Sequence, residues 1–196
     1  MLLAVSQTLQ GFLQAVLPPP LAHTEVDQWV RIAELTSEAA SEHQHRLVVN
    51  LYTVEPDPHM MNRAASSEGG VYRDPPLPLA LHYLITYCSD RHDQVQQILG
   101  QVAQAFHSCP LIQVRQYLDP ALYAGYQRAQ VPLPDRIRLR LETPEGDKIS
   151  HLWSAMRQGR RLALYYRADV ALIPTLLPSD QQAVGAPVPP VPKHLS

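Results

Sequence analysis

Residues 79 to 87, LALHYLITY, constrain the fold more than any other stretch of this chain. Pro75, Pro76 and Pro78 precede them and favour extended backbone over helix. In a strand the side chains alternate, so Leu79, Leu81, Tyr83, Ile85 and Tyr87 share one face, and Ala80, His82, Leu84 and Thr86 share the other. Both faces are largely apolar, which requires a central strand in a sheet covered on both sides. RLVVNLYTVEP (46 to 56) makes the same demand, with Leu47, Val49 and Leu51 opposed to Val48, Tyr52 and Val54.

The remaining elements follow from periodicity and punctuation. Leu2, Val5, Leu9, Phe12, Leu13 and Val16 have helical spacing, and Pro18, Pro19 and Pro20 end that helix. Val26, Trp29, Val30 and Ile32 read as a short strand. Asp57 to Pro76 reads as one long loop, a length that marks a functional or mobile segment. Asp90 is placed to cap a helix whose buried stripe is Val95, Ile98, Leu99, Val102 and Phe106. Residues 111 to 135 read as irregular, with a helical turn near Pro120 to Arg128. RIRLRLE (136 to 142) alternates cleanly: Ile137, Leu139 and Leu141 inward, Arg136, Arg138, Arg140 and Glu142 outward. Thr143 and Pro144 then look like the cap and first position of a helix carrying Ile149, Leu152, Trp153 and Met156, with Gly159 at its end. A last strand runs from Arg161 to Ile173. The predicted fold is α/β (α+β in its element order), a single mixed β-sheet flanked by helices. It occupies residues 1–176, and 177–196 form a proline-rich, flexible C-terminal tail.

Composition excludes several functions. The net charge of −2 provides no basic field for nucleic acid, and the 45% apolar content suffices for a core. No run is long and apolar enough for membrane insertion, and the first basic residue is Arg31, unlike the start of a signal peptide. Cys88 and Cys109 form no C-x-x-C pair and fit buried thiols in a reducing, cytoplasmic assembly compartment.

Catalytic motifs are missing from the chain: it holds no phosphate loop, no dinucleotide fingerprint, no H-E-x-x-H and no nucleophile elbow. His43 and His45 make a metal site only with a third ligand from elsewhere; otherwise they are solvated. Cys88, His92 and Asp93 resemble a nucleophile beside a base, or a capping cluster at a helix start. His82 reads either as a general base or as a neutral imidazole hydrogen-bonded beneath a helix, and the second is preferred because Ala80 and Leu84 supply no acid. The row Arg136, Arg138 and Arg140 reads either as a contact for an acidic partner or as a charged, protected edge. The proline-rich tail is a docking segment or a disordered end, and the N-terminal helix is core or a contact with a neighbouring subunit. No cofactor or metal is implied.

Four blocks in order carry a more specific signal. VVNLYTVEPDPHMMNR, PPLPLALHYLITYCSD, QQILGQVAQAFHSCPLI, and IRLRLETPEGDKISHLWSAM with RLALYYRADVALI resemble a strand and loop, a strand, a helix and a closing segment of one family. That family is the tail-terminator or cap protein of contractile injection systems, phage-tail-like particles of the antifeeding-prophage and Photorhabdus virulence-cassette type. The resemblance implies a non-enzymatic subunit that forms a homohexameric ring and terminates the inner tube and sheath at the distal end. Its partners would be itself, the tube protein and the sheath protein, in a particle either released or membrane-attached. The alternatives are a neck or tail-completion adaptor and, further off, a small thiol-dependent hydrolase. No contact residue transfers onto 111 to 135 or the segment around Trp29. The interface candidates are therefore Arg63 and Arg73 in the long loop, with Arg136, Arg138 and Arg140.

Overall fold

The protein is described by a computed structural model, covering residues 1–20, 29–35, 45–57, 66–68, 71–73, 77–157 and 160–172. Val26, His43, Arg63, Gly159 and the tail 177–196 lie outside the described residues. Among the described residues eight strands run in chain order: β1 (Val30–Ile32), β2 (Arg46–Pro56), β3 (Ser66–Glu68), β4 (Val71–Arg73), β5 (Leu77–Cys88), β6 (Leu111–Gln113), β7 (Arg136–Glu142) and β8 (Leu164–Leu172). The helices are α1 (Leu2–Val16), α2 (His92–Ser108), α3 (Val114–Tyr117), α4 (Pro120–Arg128) and α5 (Gly146–Ala155). Six strands form one mixed sheet in the order β1-β2-β5-β8-β7-β6, parallel between β1 and β2 and antiparallel elsewhere.

The two doubly apolar strands sit side by side in the interior of the sheet, as their composition requires. On one face, Leu47, Val49, Leu81, Tyr83, Ile85, Ile137, Tyr166 and Ala168 pack beneath α1 and α2. On the other, Val48, Leu84, Cys88 and Tyr165 pack beneath Ile149 and Trp153 of α5. Burying a side chain such as Leu81 or Ile85 stabilises the fold by about 2 kcal/mol each. Phe12 stacks on Phe106 at 5.5 Å, meets Tyr117 edge-on at 5.1 Å, and Phe106 meets Tyr166 at 4.8 Å, so aromatic contacts join α1, α2, α3 and β8. The hydroxyls of Ser6 and Tyr83 lie 2.9 Å apart, tying α1 to the central strand.

Several boundaries differ from those the sequence suggests. The predicted long loop contains a two-stranded unit, with Ser66 opposite Arg73 and Glu68 opposite Val71. Within residues 111 to 135 the expected helical turn at Pro120 to Arg128 is present as α4, with a complete cap in which Asp119 accepts from the amides of Ala121 and Leu122. The part before it is more regular than expected: β6 extends the sheet and α3 follows it. Arg91 rather than Asp90 is the first boundary residue of α2, and Glu145 rather than Thr143 that of α5; neither side chain caps. The last strand begins at Leu164. A β-bulge lies between Leu51 and Thr53, and it puts Tyr52 and Thr53 on the same side of the sheet. Val54 thereby moves to the face opposite the one its position in a regular strand predicts, and is 41% exposed. Leu141, predicted inward, is 61% exposed because the helices do not reach the end of β7.

Helix α1 approaches α3 backbone to backbone at Gly11. A Cβ there would stand 2.1 Å from the carbonyl oxygen of Tyr117, a backbone atom that cannot swing aside. Gly100 in α2 has nothing within 4 Å of the same position. Two alanine substitutions should therefore have opposite signs. Gly11→Ala should destabilise by about 2 kcal/mol through overpacking. Gly100→Ala should stabilise by up to about 1 kcal/mol through helix propensity. Thermal melts of both variants test this, and a melt of Gly11→Ala matching the parent would refute the close approach.

Candidate functional site

Helix α5 covers only part of its face of the sheet. Beyond it the strands bear charged side chains at matching depths. Register places His82 of β5 opposite Thr53 of β2 and Arg167 of β8, Arg140 of β7 opposite Arg167, and Asp169 of β8 opposite Arg138. None of these neighbours is close in sequence, and the sheet order alone assembles them.

Two buried carboxylates organise this surface. Asp57, at the end of β2, is 2% exposed, and Asp169 is 7% exposed. A buried carboxylate is tolerated when cations and hydrogen bonds compensate for lost hydration. Arg167 does this for both: its Nε donates to Asp169 at 2.6 Å, and its Nη2 lies 3.3 Å from Asp57. Burial works against the charge of Arg167, but the hydrogen bond and the nearby Asp169, Asp57 and Glu142 outweigh it and raise its pKa further. Arg140 approaches the second oxygen of Asp169 at 2.9 Å. That oxygen is buried and makes no well-aligned hydrogen bond among the described residues, so the Arg140 contact is ionic.

His82 adjoins this network. Its Nδ1 is 2.9 Å from Glu142, and its Nε2 is 3.6 Å from Glu55, with no hydrogen bond to the latter. The preferred sequence reading, a hydrogen-bonded structural imidazole, agrees with this placement. Its argument that no acid is at hand does not. The acids come from β2 and β7 across the register, not from Ala80 and Leu84 along the strand. Tyr52, brought round by the bulge, sits 6.1 Å from the His82 ring and 6.4 Å from the Tyr165 ring. Burial, then the charges of Glu142, Tyr165 and Glu55, push its pKa up to about 12, so it is a neutral phenol.

The structure distributes the other sequence candidates as follows. Arg136 and Arg138 are exposed on this same face. Arg140, 56% exposed, is also engaged with Asp169, so the row is not three equivalent free cations. Arg73 lies in β4, paired through its backbone with Ser66. Cys88 is buried beneath α5, and burial raises its thiol pKa despite the opposing charge of Arg161. His92 is exposed, and Asp93 holds Arg91 at 2.6 Å instead of orienting a base. The nucleophile–base arrangement is therefore not assembled. His45 opens β2 with its amide on the carbonyl of Cys88. No group of three or more His, Cys, Asp or Glu among the described residues is arranged to hold a metal ion. Also among the described residues, no helix is long and apolar enough to cross a membrane.

Sequence reasoning missed Glu55, Asp57, Arg167, Asp169 and the contact role of Glu142. A signal was present: β5, β7 and β8 each place a polar or charged residue on one face of an otherwise apolar strand. Only the strand order converts that into a cluster.

Comparison with known proteins bears on the whole fold. The chain matches 100% of its length to a sheath/tube terminator of an extracellular contractile injection system, PVC, solved in the extended state, with a TM-score of 0.59 and 19% identity. It matches the tube-terminating cap of the anti-feeding prophage, again over its full length, with a TM-score of 0.57 and 18% identity. It spans 63% and 62% of those two chains. No curated protein matches. The Pvc16 N-terminal domain family matches residues 4–186. The six-stranded mixed sheet and that match, extending over nearly all of the sequence, agree: this chain belongs to the Pvc16 N-terminal domain family.

Proposed function

We propose that this chain is a structural, non-enzymatic terminator of a contractile injection particle, a ring of identical subunits that closes the inner tube and its sheath. The observation that carries this is the family match over residues 4–186, made by a chain whose whole length superposes on two terminators. The ring is a homohexamer at the distal end, assembled in the cytoplasm and retained in an extracellular particle. Its mechanism is adhesion: it binds a finished end, blocks further addition, and couples sheath to tube so that contraction transmits force. A closed ring of identical subunits uses head-to-tail contacts, so each subunit needs two different complementary surfaces.

The surface supports such a role more than a catalytic one. Its buried charges are paired with one another, its one strand cysteine is a buried thiol, and some of its exposed apolar side chains, Leu77, Leu111 and Leu141, lie toward the margins of the sheet. Arg136 and Arg138 are exposed and form no ion pair among the described residues, which makes them the better contacts for an acidic partner.

Four outcomes are expected. Particles assembled without this chain should have tubes of uncontrolled length or open ends by electron microscopy. The purified chain should scatter light as a species near 130 kDa, six copies of 22.0 kDa, or assemble to that state only on tube ends; normal, capped particles without it would sink the reading. Reversing Arg136 and Arg138 to Glu should reduce incorporation into particles while leaving the melting midpoint unchanged, and unaltered incorporation would show that the pair is merely solvated. Arg140→Glu should differ in kind. It places a like charge beside buried Asp169 and should cost about 2 kcal/mol of stability, seen as a lowered midpoint.

A further inference from the structure

Between the bulge of β2 and helix α5 the sheet leaves an open groove of about 710 Å³. We propose that this groove is a docking site for a protein segment that presents one lysine or arginine beside a bulky apolar side chain. The inference rests on the groove itself and stands whether or not the chain caps a tube.

One wall is acidic. Glu55, 62% exposed, comes from β2, Glu142, 29% exposed, from the end of β7, and Glu145, 79% exposed, from the entry to α5. The cations facing them are few. Lys148 lies 3.6 Å from Glu145 across one turn, and two histidines, His82 and His151, complete the titratable lining apart from Tyr52 and Tyr165. Imidazoles aside, the lining carries three carboxylates against one ammonium. The opposite wall is apolar, formed by Leu152 and Ile149 of α5 and the rings of Tyr52 and Tyr165.

That pairing selects its occupant by charge complementarity. Burial does most to raise the Tyr52 hydroxyl, and Glu142 and Glu55 add to it; the same two carboxylates, with Glu145, attract a cation at the mouth. A Lys or Arg stem lies comfortably on an aromatic face with its head between carboxylates, and the adjacent apolar side chain fills the wall of α5. An anionic ligand is disfavoured by three carboxylates. Glu55 is exposed and its 3.6 Å approach to His82 is not a hydrogen bond, so turning to an incoming cation would break no hydrogen bond to His82.

The test is a titration of the ¹⁵N-labelled full chain with the capped tripeptide leucine–arginine–leucine, alongside the same peptide with citrulline or glutamate at its centre. Saturable shifts confined to the amides around Tyr52, Leu152 and Tyr165 are expected with the arginine peptide, and binding weaker by about fivefold or more with the other two. Glu55→Gln with Glu145→Gln should weaken the arginine peptide about fivefold. Lys148→Glu, which adds to the acidic wall, should tighten it. Equal binding of the citrulline peptide, shifts scattered over the surface, or an affinity indifferent to all three substitutions would overturn the proposal.

Discussion

Everything in this molecule hangs on a strand whose two faces both enter a core. β5 is hydrogen-bonded along both edges, to β2 and β8, and its successive side chains enter two separate cores. A strand so enclosed has one register, because a slip of one residue would exchange the contents of the two cores. Tyr83 and Ile85 fit beneath α1 and α2, while Leu84 and Cys88 fit beneath α5. The helices are thus fixed by the strand as much as the strand is covered by them. Ser6 and Tyr83 add a polar tie in the deeper core, which fixes the rotation of α1 over the sheet.

Among the described residues the two faces are unequally covered, and that inequality locates the charged surface. Two long helices and the turn of α3 cover one face. A helix of ten residues covers only part of the other. The uncovered strands still bring side chains together at sheet spacing, so those side chains must be polar and mutually compensating. Asp57, Asp169, Arg140 and Arg167 sum to zero charge and lock the ends of three strands. Such a network is weak evidence of stability in itself, since the desolvation of each ion offsets the attraction. It does confer rigidity, because each buried carboxylate constrains where the neighbouring strands can sit.

Much of the architecture was legible because its signals are local. Doubly apolar strands, the triple proline after α1, the stripe on α2 and the alternation in β7 each occupy one short window. What was not legible depends on pairing. β6 is three residues long and becomes a strand only because Ile137 lies opposite Ile112. The surroundings of His82 were misread for the same reason: along its own strand it has alanine and leucine, while across the sheet it has two glutamates and an arginine. The helix starts at Arg91 and Glu145 lack side-chain caps, so the local rules for Asp90 and Thr143 pointed a residue or two away. The arginine row was seen as a set, but its division into two members without an ion pair among the described residues and one engaged member needed the depth of Asp169.

The bulge in β2 has a consequence for how this chain can vary. Leu51 opposes Tyr83 and Thr53 opposes His82, so the ladder would close into a regular one if Tyr52 were simply deleted. Thr53, Val54 and Glu55 would keep their present partners. The strand therefore carries one residue that its pairing does not require, and that residue lines the groove beside α5 instead of extending the ladder. Insertions and deletions in strands ordinarily shift register. Here a change of length has one position at which the register on either side is kept.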